Sequence, residues 1–247
     1  MVTNTSPFSA ALKESLEIGL AKNKKWTICI DADVLIIKSA LGELVKLGDS
    51  LNENVFEVQT LILDKFIPVK RPSGAHMYRT ALIPKALPLI PPPEGSFRPE
   101  STMLKRMAAR GYPYYQSDIL VGIHDYEQYY VDIFRKCLLQ AKKTSWALTQ
   151  LESFWNAQKD NDTDFLIAYF ALLISKFTNN NITADKYLFL EEINVLFNLF
   201  KIKEKEKLNP EHMSEAYINQ SIQDSLKNQH FSELQEVMMP LNLLNKT

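Results

Sequence analysis

Glycine stops halfway along this chain. All seven glycines lie at or before Gly122, and the 125 residues that follow contain none. Tight β-turns and phosphate-cradling loops need positive φ angles, which glycine adopts without steric cost. A long glycine-free stretch is therefore expected to be helical, and the apolar spacing agrees. Tyr126, Tyr130, Ile133, Phe134, Cys137, Leu138 and Ala141 recur at i, i+3, i+4, with Asp125 placed as the N-cap. Ala147, Leu148, Leu151, Phe154 and Trp155 continue or restart the pattern. Phe165–Phe177 is apolar nearly all round, which predicts a central helix with Phe170 and Leu173 almost fully buried. Thr183 is placed as the cap of a next helix carrying Phe189, Ile193, Leu196, Phe197 and Phe200. Asn209-Pro210 opens another, and Ser232 with Gln235 forms a capping box for a short last one.

The first half is more mixed. Ser6-Pro7 starts a helix with Phe8, Leu12, Leu16 and Leu20 on one face, and Trp26–Ile30 reads as a strand. Val34–Leu47 and Val55–Phe66 read as helices, the second stopped by Pro68. Between Pro68 and Pro99 no regular element fits, because Pro88 and Pro91-Pro92-Pro93 favour an extended, partly polyproline-II path. Pro99–Arg110 is expected to be a helix ending at Gly111. The expected fold is mainly α, in three parts. Residues 1–67 form a small mixed region with at most a few short strands, 68–115 an extended segment with one helix, and 116–247 a helical bundle.

Bulk properties narrow the class of protein. A hydrophobic content of 46% with 23% charged residues belongs to a folded chain rather than a disordered one. A net charge of −1 argues against a general nucleic-acid coat protein. Cys29 and Cys137 each sit in an apolar run, so buried thiols in a reducing, cytoplasmic setting are expected. Met1 to Pro7 lacks the apolar stretch of a secretory signal. The longest apolar run, Phe165–Ile174, is too short to span a bilayer. Twenty-two lysines against six arginines, with many Asn and Ile, point to an AT-rich bacterial genome.

Residues 65–115 carry nine of the twelve prolines and five of the six arginines, and their charges sum to +7. Six of the ten tyrosines fall between Tyr112 and Tyr130. Arg and Tyr are enriched at the centres of protein interfaces, where each offers apolar area with a polar end. Arg71, Arg79, Arg98, Tyr114, Tyr115 and Tyr129 are therefore the candidate partner-binding residues. The functional expectation is a non-enzymatic interaction module: an adaptor or accessory subunit of a larger bacterial, secretion-related assembly. Its partner would be a protein with an acidic surface, and no cofactor is expected. RNA or anionic lipid is a weaker alternative for the same basic stretch.

An enzymatic alternative rests on Ile28-Cys29-Ile30-Asp31-Ala32-Asp33-Val34-Leu35. A hydrophobic strand ending in Asp-x-Asp resembles the first motif of haloacid-dehalogenase-like phosphatases. The resemblance implies Asp31 as nucleophile and Asp33 as general acid/base beside a magnesium ion. Residues 104–112 look like the helix before the second strand of that family. Leu35 stands where the family has Thr or Val, and no downstream Gly-Asp pair completes the metal site. Read without the family, Asp31 caps a helix beginning near Val34 and Asp33 sits in its first turn. Asp160, Asp162 and Asp164 imitate the start of a calcium loop, but Phe165 and Ala171 replace its required Gly and Glu. An acidic cap on the apolar helix is the simpler reading. His76, His124, His212 and His230 are scattered without an i, i+4 pair, and no Cys-x-x-Cys occurs, so no metal site is expected.

Overall fold

The computed structural model describes residues 1–67, 69–96, 98–126, 128–143, 147–178, 189–206 and 209–227. The chain divides into two compact units. Unit 1 comprises Met1–Ile62 and Arg71–Gly122; unit 2 comprises Leu63–Lys70 and Ile123–Thr247.

A mixed sheet forming a nearly closed barrel replaces the expected mainly helical architecture. Its strands are β1 (Trp26–Ile30), β2 (Val34–Ile36), β3 (Glu57–Asp64), β4 (Lys70–Arg79) and β5 (Tyr114–His124). They lie in the order β1-β4-β3-β5-β2. β1 and β4 are antiparallel, with Trp26 opposite Arg79 and Ile30 opposite Ala75. β3 and β5 run parallel: Phe56 N–H reaches Pro113 O at 2.7 Å, and further along in the same direction Lys65 N–H reaches His124 O at 3.0 Å. Gly74, at φ +86°, has no room for a side chain: an added Cβ would stand 2.3 Å from Ile62 Cγ2 of β3 and 3.2 Å from Val34 Cγ2 of β2.

Alternation along the strands sorts unit 1 into two layers. Val58, Met77 and Leu44 pack with Trp26 and Ile28; Leu44 belongs to α2 (Ala40–Ser50). On the opposite face Tyr78 packs with Leu12 and Leu16 of α1 (Phe8–Lys22) and with Met103 and Met107 of α4 (Pro99–Ala108). Ile83 and Ala86 of α3 (Ile83–Ala86) and Leu89 close this layer. Pro84, Pro88 and Pro93 each fall in the first two positions of a short helical turn, where a missing N–H costs nothing.

Three expectations for the first half are thus corrected. Val34–Leu47 is a strand followed by a helix, Val55–Phe66 contains β3, and the stretch read as extended contains β4. β3 is buried on both faces along most of its length, so its period of two is invisible in the sequence. β4 turns polar His76 inward, which hides its alternation in the same way.

Unit 2 contains α5 (Tyr130–Lys143), α6 (Leu148–Gln158), α7 (Thr163–Ser175), α8 (Leu190–Phe200) and α9 (Glu215–Lys227). Ile133, Phe134, Leu138, Leu151, Phe154, Trp155, Phe165 and Leu172 form its core. Trp155 is fully buried, and its indole N–H donates to Phe66 O at 2.7 Å. α5 starts at Tyr130, not at Tyr126, and is capped from far along the chain. The Glu204 carboxylate accepts the Tyr130 N–H at 2.7 Å and the Val131 N–H at 3.1 Å. Phe170 and Leu173 of α7 are half-buried rather than enclosed. Phe170 meets the Phe200 ring at 4.8 Å, on a side of the helix that its neighbours cover only in part. Thr183 and the Ser232 capping box lie outside the described residues. No helix among the described residues is long and apolar enough to cross a membrane.

Candidate functional site

The parallel pairing of β3 with β5 brings their carboxyl ends side by side. Here the two strands end in Asp64 and His124, and Asp125 follows directly. Asp125 turns the chain away with φ +69°, a left-handed conformation that a short polar side chain tolerates better than most.

His124 Nδ1 lies 3.1 Å from Asp64 Oδ2 and 3.0 Å from Asp125 Oδ2. Lys136 of α5 reaches Asp125 Oδ1 and stands 3.2 Å from His124 Nε2. An ammonium can only donate, so Nε2 accepts and the imidazole proton sits on Nδ1, shared between the two carboxylates. Asp64 is also used structurally: its Oδ1 accepts the N–H groups of Phe66 at 2.9 Å and Ile67 at 3.1 Å. The Asp64, His124 and Asp125 side chains are 3%, 5% and 3% exposed.

This trio has the chemistry of a cation site. One ligand atom from each residue lies within 4.8 Å of the others. Nδ1-to-oxygen separations of 3.0 and 3.1 Å match the spacing of adjacent ligands around a divalent ion, about 3.0 Å for bonds of about 2.1 Å at right angles. A carboxylate–carboxylate–imidazole set suits borderline ions such as Zn²⁺ and Mn²⁺.

A second ion network lies in the same unit. Lys65 Nζ is 2.9 Å from Asp162 Oδ2 and 2.6 Å from Asp164 Oδ2, and Lys205 Nζ is 2.5 Å from Asp164 Oδ1. Burial works against the Lys65 charge, but Asp164 and Asp162 outweigh it and hold its pKa above the ordinary value. Asp162 also caps α7, accepting the Asp164 N–H at 2.8 Å. The calcium-like run is therefore a cap and an ion-pair partner for lysines. An open hollow beside Asp160, Thr163 and Phe200 has neither His124 nor its partners in its walls.

Unit 1 holds its own ionisable cluster. Glu57 on β3 and His76 on β4 meet at 2.5 Å (Oε1 to Nδ1), and His76 Nε2 lies 3.2 Å from Glu100 Oε2 at the start of α4. The Tyr78 hydroxyl donates to Glu100 Oε1. Cys29 faces His76 across the β1–β4 ladder. Burial, opposed by His76, pushes the Glu57 carboxyl up to about 7. Gln59 lies near enough to favour the carboxylate, yet Oε2 has no hydrogen bond of good geometry. His76 is raised to about 10: burial disfavours its charge, and Glu100 and Glu57 override that. The Cys29 thiol is pushed up to about 12, first by burial and then by Glu100, so it is not a thiolate nucleophile.

The candidate partner-binding residues are spread out. Arg79 is buried; it donates from Nε to Val55 O at 3.1 Å and from Nη2 to Asn52 O at 3.2 Å, and lies 4.4 Å over the Trp26 ring. Arg71 and Tyr114 are half-buried, and Arg98 is exposed. Tyr115 and Tyr129 are 42% and 41% exposed. Tyr129 belongs to unit 2 and the other five to unit 1. Leu82, Ile83, Leu87, Leu89 and Ile90 pack into unit 1's own core. Asp31 is exposed and Asp33 half-buried in the turn between β1 and β2. Neither caps a helix, because Val34–Ile36 is a strand and the next helix starts at Ala40. β1, which leads into them, is antiparallel to its neighbour β4 rather than part of a parallel βα series.

Sequence spacing could not nominate Asp64, His124 and Asp125 together, since 60 residues separate the first two. The one available signal is that Asp64 and His124 each end a strongly apolar run, Leu61–Leu63 and Ile119–Ile123. No family model matches the chain, and no curated protein and no solved structure matches it.

Proposed function

We propose that unit 2 binds one divalent cation through Asp64, His124 and Asp125 and uses it to hydrolyse an anionic ester. The observation that supports this is the convergence of three ligand-type side chains, buried, with ligand atoms within 4.8 Å, at the carboxyl ends of two parallel strands. Asp64, Asp125 and His124 through Nδ1 would hold the cation, which would leave the imidazole proton on Nε2. Nε2–H and the Lys136 ammonium are then both donors and cannot remain 3.2 Å apart. Lys136 would then leave His124 and offer its ammonium to an anionic oxygen of the substrate. The cation would lower the pKa of a bound water toward about 7 and so supply the nucleophile.

The experiment is calorimetric titration of the full chain with Mn²⁺, Zn²⁺ and Mg²⁺, followed by a screen of phosphomonoesters, phosphodiesters and carboxylic esters with the best-bound ion. One equivalent bound, lost in Asp125→Asn and His124→Ala, with turnover that follows occupancy, is the expected result. No saturable binding at millimolar ion would sink the proposal.

A second reading keeps the protein as an interaction module. In unit 1 it is favoured by the exposure of Arg98 and Tyr115, which are not used in that unit's core. Capture of a stoichiometric acidic partner from the native cell, lost in Arg98→Glu with Tyr115→Ala, tests it.

A further inference from the structure

The chain leaving β3 turns inside unit 2 rather than on its surface. Phe66 and Ile67 are 2% and 3% exposed, so their backbone groups need partners within the protein. Both amides go to Asp64, whose Oδ1 accepts the Phe66 N–H at 2.9 Å and the Ile67 N–H at 3.1 Å. The Phe66 carbonyl goes to α6, where the Trp155 indole N–H donates to it at 2.7 Å. Lys65 N–H reaches His124 O at 3.0 Å, and its ammonium is held by Asp162 and Asp164 at the start of α7. The Asp64–Ile67 stretch is thus tied to His124, α6 and α7 at once.

These ties are not equally stiff. The Lys65 ammonium sits on a flexible four-carbon stem and can follow a backbone that shifts. Trp155 is fully buried, and its N–H is fixed to a rigid ring packed among Leu151, Phe154 and Phe165. Asp64 Oδ1 is occupied by two amides, so Oδ2 alone is left to face His124 Nδ1, at 3.1 Å. A carboxylate held in this way offers a cation one oxygen and not two.

We infer that Trp155 is a positioning residue that sets which cation the Asp64–His124–Asp125 site accepts, because its hold on Phe66 O keeps Asp64 restricted to a single ligand oxygen. The inference rests on the cation site proposed above. A single carboxylate oxygen suits ions with few, short bonds, such as Zn²⁺ and Mn²⁺. Ca²⁺ gathers about six to eight oxygens at longer distances and often takes both oxygens of one carboxylate. The His124 nitrogen disfavours Ca²⁺ as well, but a carboxylate free to turn would offset part of that. Loss of the indole N–H leaves Phe66 O buried without its donor. The amides then loosen from Oδ1, and both oxygens of Asp64 come within reach of an ion. Partners of this kind, outside the ligands themselves, hold first ligands in place and tune the metal.

Calorimetric titration of the full chain with Mn²⁺, Zn²⁺ and Ca²⁺ tests the inference through affinity ratios. Trp155→Phe removes the donor. Trp155→benzothienylalanine removes it with the shape of the indole preserved, which keeps the test valid if the Phe variant folds poorly. Leu172→Ala is the control: Leu172 is buried in the same core and its side chain makes no hydrogen bond. The parent chain should bind Mn²⁺ and Zn²⁺ more tightly than Ca²⁺. Both changes at Trp155 should lower that preference by about tenfold or more, with Ca²⁺ affinity held or raised. Leu172→Ala should lower stability and leave the preference where it was, since general loosening weakens all three ions together. The inference is overturned if the parent binds Ca²⁺ as tightly as Mn²⁺, if the two Trp155 variants keep the parent's preference, or if Leu172→Ala shifts it as far. A parent chain that binds none of the three ions defeats the cation site itself, an outcome distinct from binding with an unchanged preference.

Discussion

Glu57 Oε1 and His76 Nδ1 stand 2.5 Å apart on adjacent strands, and the second oxygen of the same carboxylate is buried with no hydrogen-bond partner. A fully enclosed carboxyl is disfavoured as an anion, and its neighbouring imidazole is favoured as a cation. Both groups therefore hold protons more tightly in the folded unit than in the unfolded chain.

Stability of unit 1 should consequently fall as pH rises. Glu57 moves from an ordinary value of 4.5 to about 7, so its contribution is complete below 4.5 and lost as pH climbs through 7. His76 moves from 6.5 to about 10, so its contribution is complete below 6.5 and lost as pH climbs through 10. Folding takes up protons across the whole window, which makes the slope negative. Urea midpoints measured from about pH 5 to about pH 9 should decline steadily. Glu57→Gln should remove the part of the decline below neutrality. Stability that rises with pH in that range would contradict the paired, buried arrangement.

Asp64 has two separable roles. Asp64→Ala strands the Phe66 and Ile67 N–H groups and should cost about 1–3 kcal/mol. Asp64→Asn keeps an acceptor for them and should cost distinctly less. Either change removes a charged ligand and should weaken divalent-ion binding at least tenfold. Thermal melts beside ion titrations of the two variants would show whether capping and ligation separate in this way.

Arg79 and Arg98 should behave in opposite ways. Arg79 is held inside unit 1 by two backbone carbonyls and the Trp26 face. Arg79→Ala orphans both carbonyls and should cost about 2–3 kcal/mol. Arg98 is exposed, and Arg98→Glu should change stability by no more than about 0.5 kcal/mol. Equal melting temperatures for the two variants would refute the placement of Arg79.

At Gly122 the backbone of β2 runs against β5 where a side chain would stand. A Cβ there would stand 2.1 Å from Leu35 O, and backbone cannot yield as a flexible side chain can. Gly122→Ala should cost about 3 kcal/mol or more and expose the amides of β2 to hydrogen exchange. A variant as stable as the parent, with β2 still protected, would place β2 elsewhere.

Local signals were sufficient for several elements. α1 begins after Ser6-Pro7 and β1 spans Trp26–Ile30, where apolar period and flanking polar residues agree. α4 opens on Pro99, whose ring pre-sets the first helical φ. α6, α7 and α8 fall in the glycine-free half, where no cheap turn competes with the helix. What tertiary structure decided was everything that depends on a partner distant in sequence. β3 is a strand because β4 and β5 supply its hydrogen bonds and helices cover it, although its own apolar run fits a buried helix equally well. Asp125 was expected to cap α5, a role the structure gives to Glu204, so the aspartate is turned toward His124 and Lys136 instead. Arg79 spends its donors on Asn52 and Val55, contacts that a charge count along the chain cannot reveal. The physical reason is the range of the forces involved. Turn chemistry, capping and helical period act over a few residues and are written locally. Strand pairing, burial of a carboxylate and the meeting of Asp64 with His124 depend on loop closure over tens of residues, which the complete fold alone determines.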